Sequence, residues 1–150
     1  MRHMEEIFGR GKDNLIALAT LAQEPGEDIR PAVRTLDAMY EDGAFYAVTY
    51  RNTNKMRQIA RSPQVAVAGC TEMFTASAVG EDLGWVLDPR NAELRDKLRA
   101  AFAAWYDMAN NEQDENCRIL AIRLDKGILN INHWEKLYHM DFANRCMDTE

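Results

Sequence analysis

Residues 30–69 read RPAVRTLDAMYEDGAFYAVTYRNTNKMRQIARSPQVAVAG, and this stretch decides the fold. Ile29 to Met39 reads as a strand with an irregular start near Pro31. Glu41-Asp42-Gly43 is a turn, and its Asp-Gly step favours a tight hairpin. Ala44 to Thr49 is aromatic and β-branched, which suits the returning strand. Tyr50 to Thr53 is a polar loop. Asn54 to Arg61 follows as a helix with Met56, Ile59 and Ala60 on one face, capped by Thr53 or Asn54 and stopped at Ser62-Pro63. Val65 to Ala68 then reads as a buried strand.

Working outward, Leu15 to Leu21 is an earlier strand, joined to the first by a hairpin at Pro25-Gly26. Met4 to Arg10 is a short leading helix. Met73 to Val79 is the hairpin partner of Val65–Ala68. Asn91 to Asp107 carries Leu94, Leu98, Ala101, Phe102 and Trp105 on one stripe, with Glu93 four residues before Lys97 and Asp88-Pro89 near the start, and predicts one long helix. Asn110 to Asn116 is expected to be a solvated acidic loop. Ile119–Leu124 and Ile128–Ile131 are expected to be two strands joined by a turn at Asp125-Lys126-Gly127. From Trp134 onward the chain reads as a short helix or a tail. Seven strands linked by short hairpins, with two substantial helices outside them, predict a mainly β fold: an antiparallel barrel in one domain spanning residues 1–150.

Composition narrows the function. The chain has 150 residues and a net charge of −6, which argues against nucleic acid as a partner. No apolar run is long enough to cross a bilayer, and the N-terminus lacks a signal peptide's apolar stretch, so a cytoplasmic protein without a membrane partner is expected. Cys70, Cys117 and Cys146 are widely spaced and read as reduced thiols. Residues 30–61 hold six basic side chains (Arg30, Arg34, Arg51, Lys55, Arg57, Arg61) against Asp37, Glu41 and Asp42, so this segment is +3 and the rest of the chain −9. A basic patch on an acidic chain suits a small anionic ligand; scattered surface charge is the alternative.

The strongest local site is Arg51-Asn52-Thr53-Asn54-Lys55, a loop entering a helix. Free N–H groups at a helix start bind phosphate, Thr53 and Asn54 add side-chain donors, and Lys55 adds a full charge. Arg34 on the neighbouring hairpin offers a planar fork for two phosphate oxygens. His133, His139 and Cys146 lack metal-ligand spacing, so no metal is expected. His133-Trp134 and Trp85 are expected to be packing residues. No hydrolase, metalloprotease, P-loop or dinucleotide signature is present.

The run Val33-Arg34-Thr35-Leu36-Asp37, Gly43-Ala44-Phe45-Tyr46, Asn54-Lys55-Met56-Arg57-Gln58-Ile59 and Pro63-Gln64-Val65-Ala66-Val67 resembles the pyridoxamine 5'-phosphate oxidase-like family of FMN-binding split barrels. The similarity covers about Asn14 to Gly80. It implies a split antiparallel β-barrel and FMN as cofactor, with Arg34 and Lys55 on the phosphate and Thr53 and Asn54 in the donor loop. It places Thr35, Leu36 and Asp37 along the ring edge and Tyr46, Ala47 and Val48 beneath the ring. Arg30, just before Pro31, is a rival to Arg34, whose spacing to Gly43 fits the hairpin better. The resemblance further implies a homodimer with the flavin in a cleft between two barrels, acting on a small-molecule substrate. The substrate-binding C-terminal segment of true pyridoxamine phosphate oxidases is not recognisable, which argues against that reaction, and the helix Asn91 to Asp107 between the strand pairs places the chain nearer the stress-protein and nitroreductase-like members. The expected function is an FMN-dependent oxidoreductase, passing electrons from a reduced nicotinamide or other donor to a small acceptor with no catalytic side chain of its own. The alternative is a non-catalytic protein binding flavin, deazaflavin or haem, with His133 the first candidate for a haem ligand.

Overall fold

A computed structural model describes all residues, Met1–Glu150. Helix α1 (Arg2–Phe8) leads into β1 (Asn14–Ala22), β2 (Arg30–Glu41), β3 (Ala44–Tyr50), α2 (Asn54–Arg61), β4 (Gln64–Gly69) and β5 (Met73–Trp85). A 3₁₀ turn at Pro89–Asn91 opens α3 (Ala92–Ala101), followed by α4 (Tyr106–Ala109), β6 (Cys117–Ile131), β7 (Lys136–Asp141) and β8 (Cys146–Thr149). The eight strands run in the order β3-β2-β1-β4-β5-β6-β7-β8, and β3 also pairs with β6. That last pairing closes six strands into an antiparallel barrel, leaving β7 and β8 as an extension. The mainly β split barrel expected from the sequence is the fold observed.

Strand alternation builds the barrel interior. On β1, Asn14, Ile16, Leu18 and Thr20 are buried, while Leu15 and Leu21 face out. Phe8 of α1 plugs the interior beside Phe45 and Phe74, with ring centroids 5.5 and 5.4 Å away. A second core lies outside the barrel, where Leu98, Phe102 and Tyr106 pack on Met39, Val86, Cys117 and Ile119. Strand β6 is thus covered on both faces, and Ile119 to Ile122 form an unbroken buried run. The β2–β3 hairpin turns on Asp42 and Gly43, both at positive φ (45° and 84°), as a two-residue turn requires.

Four local expectations change. Asp125-Lys126-Gly127 is no hairpin turn, for β6 runs through it as one strand. The register against β5 shifts there, with Asp125 and Lys126 opposite Ser77 alone, so the Gly-containing signal marks a β-bulge. At the bulge β6 changes neighbour, pairing with β3 before it and β7 after it. The long helix stops at Ala101, because Phe102, Trp105 and Tyr106 take tertiary partners: Trp105 stacks on Phe102 at 4.8 Å and donates to Asp13, and Tyr106 donates to Glu112. The segment after Trp134 is β7 and β8, where Tyr138 and Met140 alternate inward. Strand β5 runs on to Trp85, past the expected end at Val79.

Glu112 is also misread by sequence. It is no solvated loop residue: it bridges Arg95 (2.9 and 2.6 Å), Arg99 (3.1 Å) and the Tyr106 hydroxyl (2.9 Å), and its backbone carbonyl accepts from Trp85 Nε1 (2.8 Å). The Arg95 hydrogen bonds foremost, aided by Tyr106 and Arg99, hold its carboxyl at about 2. Trp85 is therefore a packing residue of this cluster. His133 and Trp134, expected to pack, stand exposed on the β6–β7 turn.

Candidate functional site

Strands β2 and β3 pair only through Met39–Tyr46, Tyr40–Phe45 and Glu41–Ala44. Beyond Tyr46 the ladder ends, although β3 continues to Tyr50 and β2 extends back to Arg30. Each strand keeps its other partner: β2 pairs with β1 from Arg30 to Ala38, and β3 pairs with β6 throughout. The split therefore leaves two strand edges without a partner strand, Arg34–Asp37 on one side and Ala47–Thr49 on the other. Helix α2, which follows β3 directly, places Lys55 beside Arg34.

Eight of the sequence-predicted residues sit on these elements with distinct roles. On β2, Leu36 turns inward against the core, while Thr35 and Asp37 face out. Ala47 is buried in the barrel, and Tyr46 and Val48 face the second core, so these three offer a ligand main-chain groups on the free edge more than side chains. Thr53 occupies the N-cap position, but its hydroxyl donates back to the Tyr50 carbonyl (2.8 Å) and caps nothing. The Asn54 side-chain oxygen accepts from Arg57 (2.6 Å), which also donates to the Asn52 carbonyl and so holds the loop closed. The expected side-chain donors of the loop are thus reduced to the Asn54 amide nitrogen. The backbone N–H groups of Asn54, Lys55 and Met56 have no protein acceptor and remain available to an anion.

The remaining two residues, Arg34 and Lys55, form the charged centre. Arg34 donates from Nη1 to Thr20 Oγ1 (2.7 Å) and Leu18 O (3.2 Å), and from Nη2 to Gln58 Oε1 (3.0 Å). Lys55 makes no ion pair. Burial first, then the Arg34 charge, pulls the Lys55 pKa below its ordinary value, and burial lowers that of Arg34 too. Two half-buried cations side by side without a carboxylate are an electrostatic cost unless an anion arrives. Arg30, the rival, is exposed and pairs with Glu27 at 3.6 Å, remote from this arrangement.

Thr20 and Gln58 were not anticipated. Their signals were nonetheless present: Thr20 is a polar residue on the inward face of β1, and Gln58 lies three positions after Lys55 on the same flank of α2. Asp37 has a companion too, Asp13. Burial chiefly, then the Asp13 charge and a hydrogen bond between the two carboxyls, raise the Asp37 pKa.

Two concavities lie beside this centre rather than over it. One of about 650 Å³ runs along α2, lined by Asn54, Gln58, Arg51, Arg57, Arg61 and Arg118 among others. The other, of about 690 Å³, lies on the outer sheet face, with Ala17, Ala66, Val33 and Ile128 on its walls. Neither is lined by Arg34 or Lys55, although Gln58 and Asn54 connect the first to them.

No protein-family model and no curated protein sequence matches this chain. Solved structures do. The General Stress Protein 26 from Bacillus anthracis is similar at 14% identity and a TM-score of 0.64, over 99% of this chain and 97% of that one. A pyridoxamine 5'-phosphate oxidase-related, FMN-binding protein from Nostoc punctiforme is similar at 17% identity and TM-score 0.59, over 91% and 85%. HutZ, the haem storage protein from Vibrio cholerae, is similar at 12% identity and TM-score 0.63, over 85% and 90%. At such identities the likeness is one of fold, and the fold they share with this chain is the split barrel. With its closed six-stranded barrel, parted β2–β3 edge and flanking helices, the chain has the split-barrel fold of the pyridoxamine 5'-phosphate oxidase-like FMN-binding proteins.

Proposed function

We propose that the chain binds FMN and works as a flavin-dependent oxidoreductase. One observation carries this reading: Arg34 is hydrogen-bonded to Gln58 of α2 (3.0 Å), the helix that also carries the half-buried, unpaired Lys55 and starts with free N–H groups. That donor set fits a phosphate monoester. The adjoining free edges of β2 and β3 fit the planar, hydrogen-bonding rim of a flavin, with Thr35, Leu36 and Asp37 on one edge and Tyr46, Ala47 and Val48 on the other. Bound FMN would supply the hydride and electron-transfer chemistry, taking electrons from a reduced nicotinamide or other donor for a small acceptor. The chain's own part is to bind the phosphate, orient the ring and exclude water; no side chain is assigned a catalytic role.

The same reading makes the protein a homodimer. The outer face of the sheet is apolar and exposed, with Val33 71% and Leu15 47% exposed and the small residues Ala17, Ala19, Ala66 and Ala68 between them. A second copy seated there would cover this face and wall the side of the cleft where Thr35 projects. The chain has no helix long and apolar enough to cross a membrane, and we place it in the cytoplasm. Haem and deazaflavin compete as occupants. A haem needs an axial ligand, and His133 stands exposed on the β6–β7 turn, outside the arrangement of Arg34 and Lys55.

The deciding experiment is an absorption spectrum of purified protein with and without added FMN. A flavin spectrum that NADH or NADPH bleaches and air restores supports the enzyme. A flavin spectrum inert to both supports a carrier, a Soret band supports haem, and no spectral change with FMN overturns the cofactor.

A further inference from the structure

Three side chains from three elements close a ring of hydrogen bonds at the end of the barrel. Arg34 of β2 can only donate, so Thr20 Oγ1 on β1 accepts from its Nη1 at 2.7 Å. Thr20's one proton then goes to Gln58 Oε1 on α2 at 2.6 Å, and the same oxygen accepts Arg34 Nη2 at 3.0 Å. The direction of every bond is fixed, because a guanidinium has no lone pair to offer and a hydroxyl has one hydrogen. The Gln58 amide is therefore locked with its oxygen toward Arg34. Thr20 is 1% exposed, so water does not compete for its hydroxyl.

The ring also sorts the five N–H groups of Arg34. The end carrying both Nη atoms is spent on Thr20 and Gln58, with Leu18 O (3.2 Å) and Ala32 O (3.4 Å) as further acceptors of Nη1. Arg34 Nε has no protein acceptor, and Nη2 keeps one proton free. Those two hydrogens form the side-on fork of a guanidinium, whose spacing matches two oxygens of a phosphate.

We propose that Thr20 and Gln58 are positioning residues that preset Arg34 for a phosphate monoester, and that this ring makes the site select a phosphorylated flavin over the unphosphorylated one. The inference rests on the FMN reading and adds to it the source of phosphate selectivity. A loose arginine would spend binding energy on ordering its side chain; here that ordering is complete before the ligand arrives. Neither Thr20 nor Gln58 need touch the ring system, so their effect is confined to the phosphate end.

The test compares dissociation constants for FMN and riboflavin, by flavin fluorescence, in the wild type and in Thr20→Val, Thr20→Ser, Gln58→Leu and Gln58→Glu, with circular dichroism confirming the fold of each. The expected result is about a tenfold loss of FMN affinity in Thr20→Val and Gln58→Leu with riboflavin affinity held within about twofold. Thr20→Ser, which keeps the hydroxyl, should retain the preference. Gln58→Glu keeps the acceptor but neutralises the guanidinium, and should lose FMN selectively even if Thr20→Val does not fold. Folded Gln58 variants with an unchanged FMN-to-riboflavin ratio would overturn this inference alone. A wild type that binds FMN no better than riboflavin overturns it together with the phosphate assignment, and a wild type that binds neither removes the flavin reading itself.

Discussion

Arg34 and Lys55 meet through Gln58, which accepts from Arg34 Nη2 at 3.0 Å three positions after Lys55 on α2; the arginine's charge helps lower the Lys55 pKa, and neither cation forms an ion pair. A folded protein tolerates such a pair at a cost in stability, because like charges repel and burial weakens their hydration. The arrangement predicts opposite effects of one substitution on stability and on binding. Lys55→Met should leave the ligand-free protein as stable as the wild type or more so, while FMN binding weakens by about 1.5–3 kcal/mol, the scale of a charge-assisted hydrogen bond. Arg34→Ala should weaken FMN similarly but destabilise the free protein, since it strands Thr20 and Gln58. Thermal melting with and without FMN checks both. A Lys55→Met protein that melts well below the wild type yet binds FMN equally contradicts the site.

The Glu112 cluster predicts how the protein responds to acid. Its carboxyl titrates at about 2 in the folded chain, against 4.5 for an ordinary glutamate. A depressed folded value means that the contribution is fully present above the ordinary value and is lost as pH falls from about 5 toward 2. The side chain is 14% exposed, but its partners Arg95 and Arg99 are 29% and 34% exposed, so solvent screens the cluster and the contribution is below about 3 kcal/mol. Glu112→Gln should therefore lower the melting temperature at pH 7 and narrow its gap to the wild type near pH 2.5. A constant gap across that range would mean that Glu112 works by packing rather than charge.

What the sequence reveals here follows the range of the forces involved. The β2–β3 hairpin and α2 were legible because Asp42-Gly43, the Met56/Ile59 stripe and Ser62-Pro63 act within a few residues. The bulge at Asp125–Gly127 has the local signature of a turn, because both place a glycine among polar residues; only the run of β5 opposite it separates the two. The end of α3 depends on Asp13 and Glu112, distant in sequence from Trp105 or supplied by a loop, so local periodicity overran it. At the site, Arg34 and Lys55 were legible as charges in a basic stretch. The Thr20–Gln58 bond spans 38 positions, and no local rule reaches that far.

Gly80 ties helix α2 to the barrel. A Cβ built there would stand 2.9 Å from Ile59 Cγ2, and Ile59 is a buried, β-branched residue of α2 that cannot swing aside. Gly80→Ala should push α2 outward, costing about 1–3 kcal/mol of stability. Because Lys55 and Gln58 ride on the same helix, FMN affinity should fall as well, although Gly80 carries no side chain to contact a ligand. The double variant Gly80→Ala with Ile59→Leu, whose unbranched Cβ carries no counterpart of the clashing Cγ2, should recover part of both losses. Melting and FMN titration of the two variants check the coupling; independent, additive losses would show that α2 does not move as a unit.

Val33 tests the dimer and its link to the cofactor. It projects from β2 on the exposed apolar face, between Arg34 and the inward-facing Ala32, and its own side chain supports nothing in the barrel. Val33→Asp places a charge at the centre of a surface that a second copy would bury, where a desolvated carboxylate without a partner is costly. The monomer's fold should survive, since the position is solvent-exposed in the single chain. Size-exclusion chromatography with light scattering should therefore show a dimeric wild type and a monomeric Val33→Asp protein with an unchanged circular dichroism spectrum. If the cleft takes one wall from the second copy, FMN affinity should drop with dissociation and recover at high protein concentration. An unchanged affinity in a monomeric variant would place the whole flavin site within one barrel.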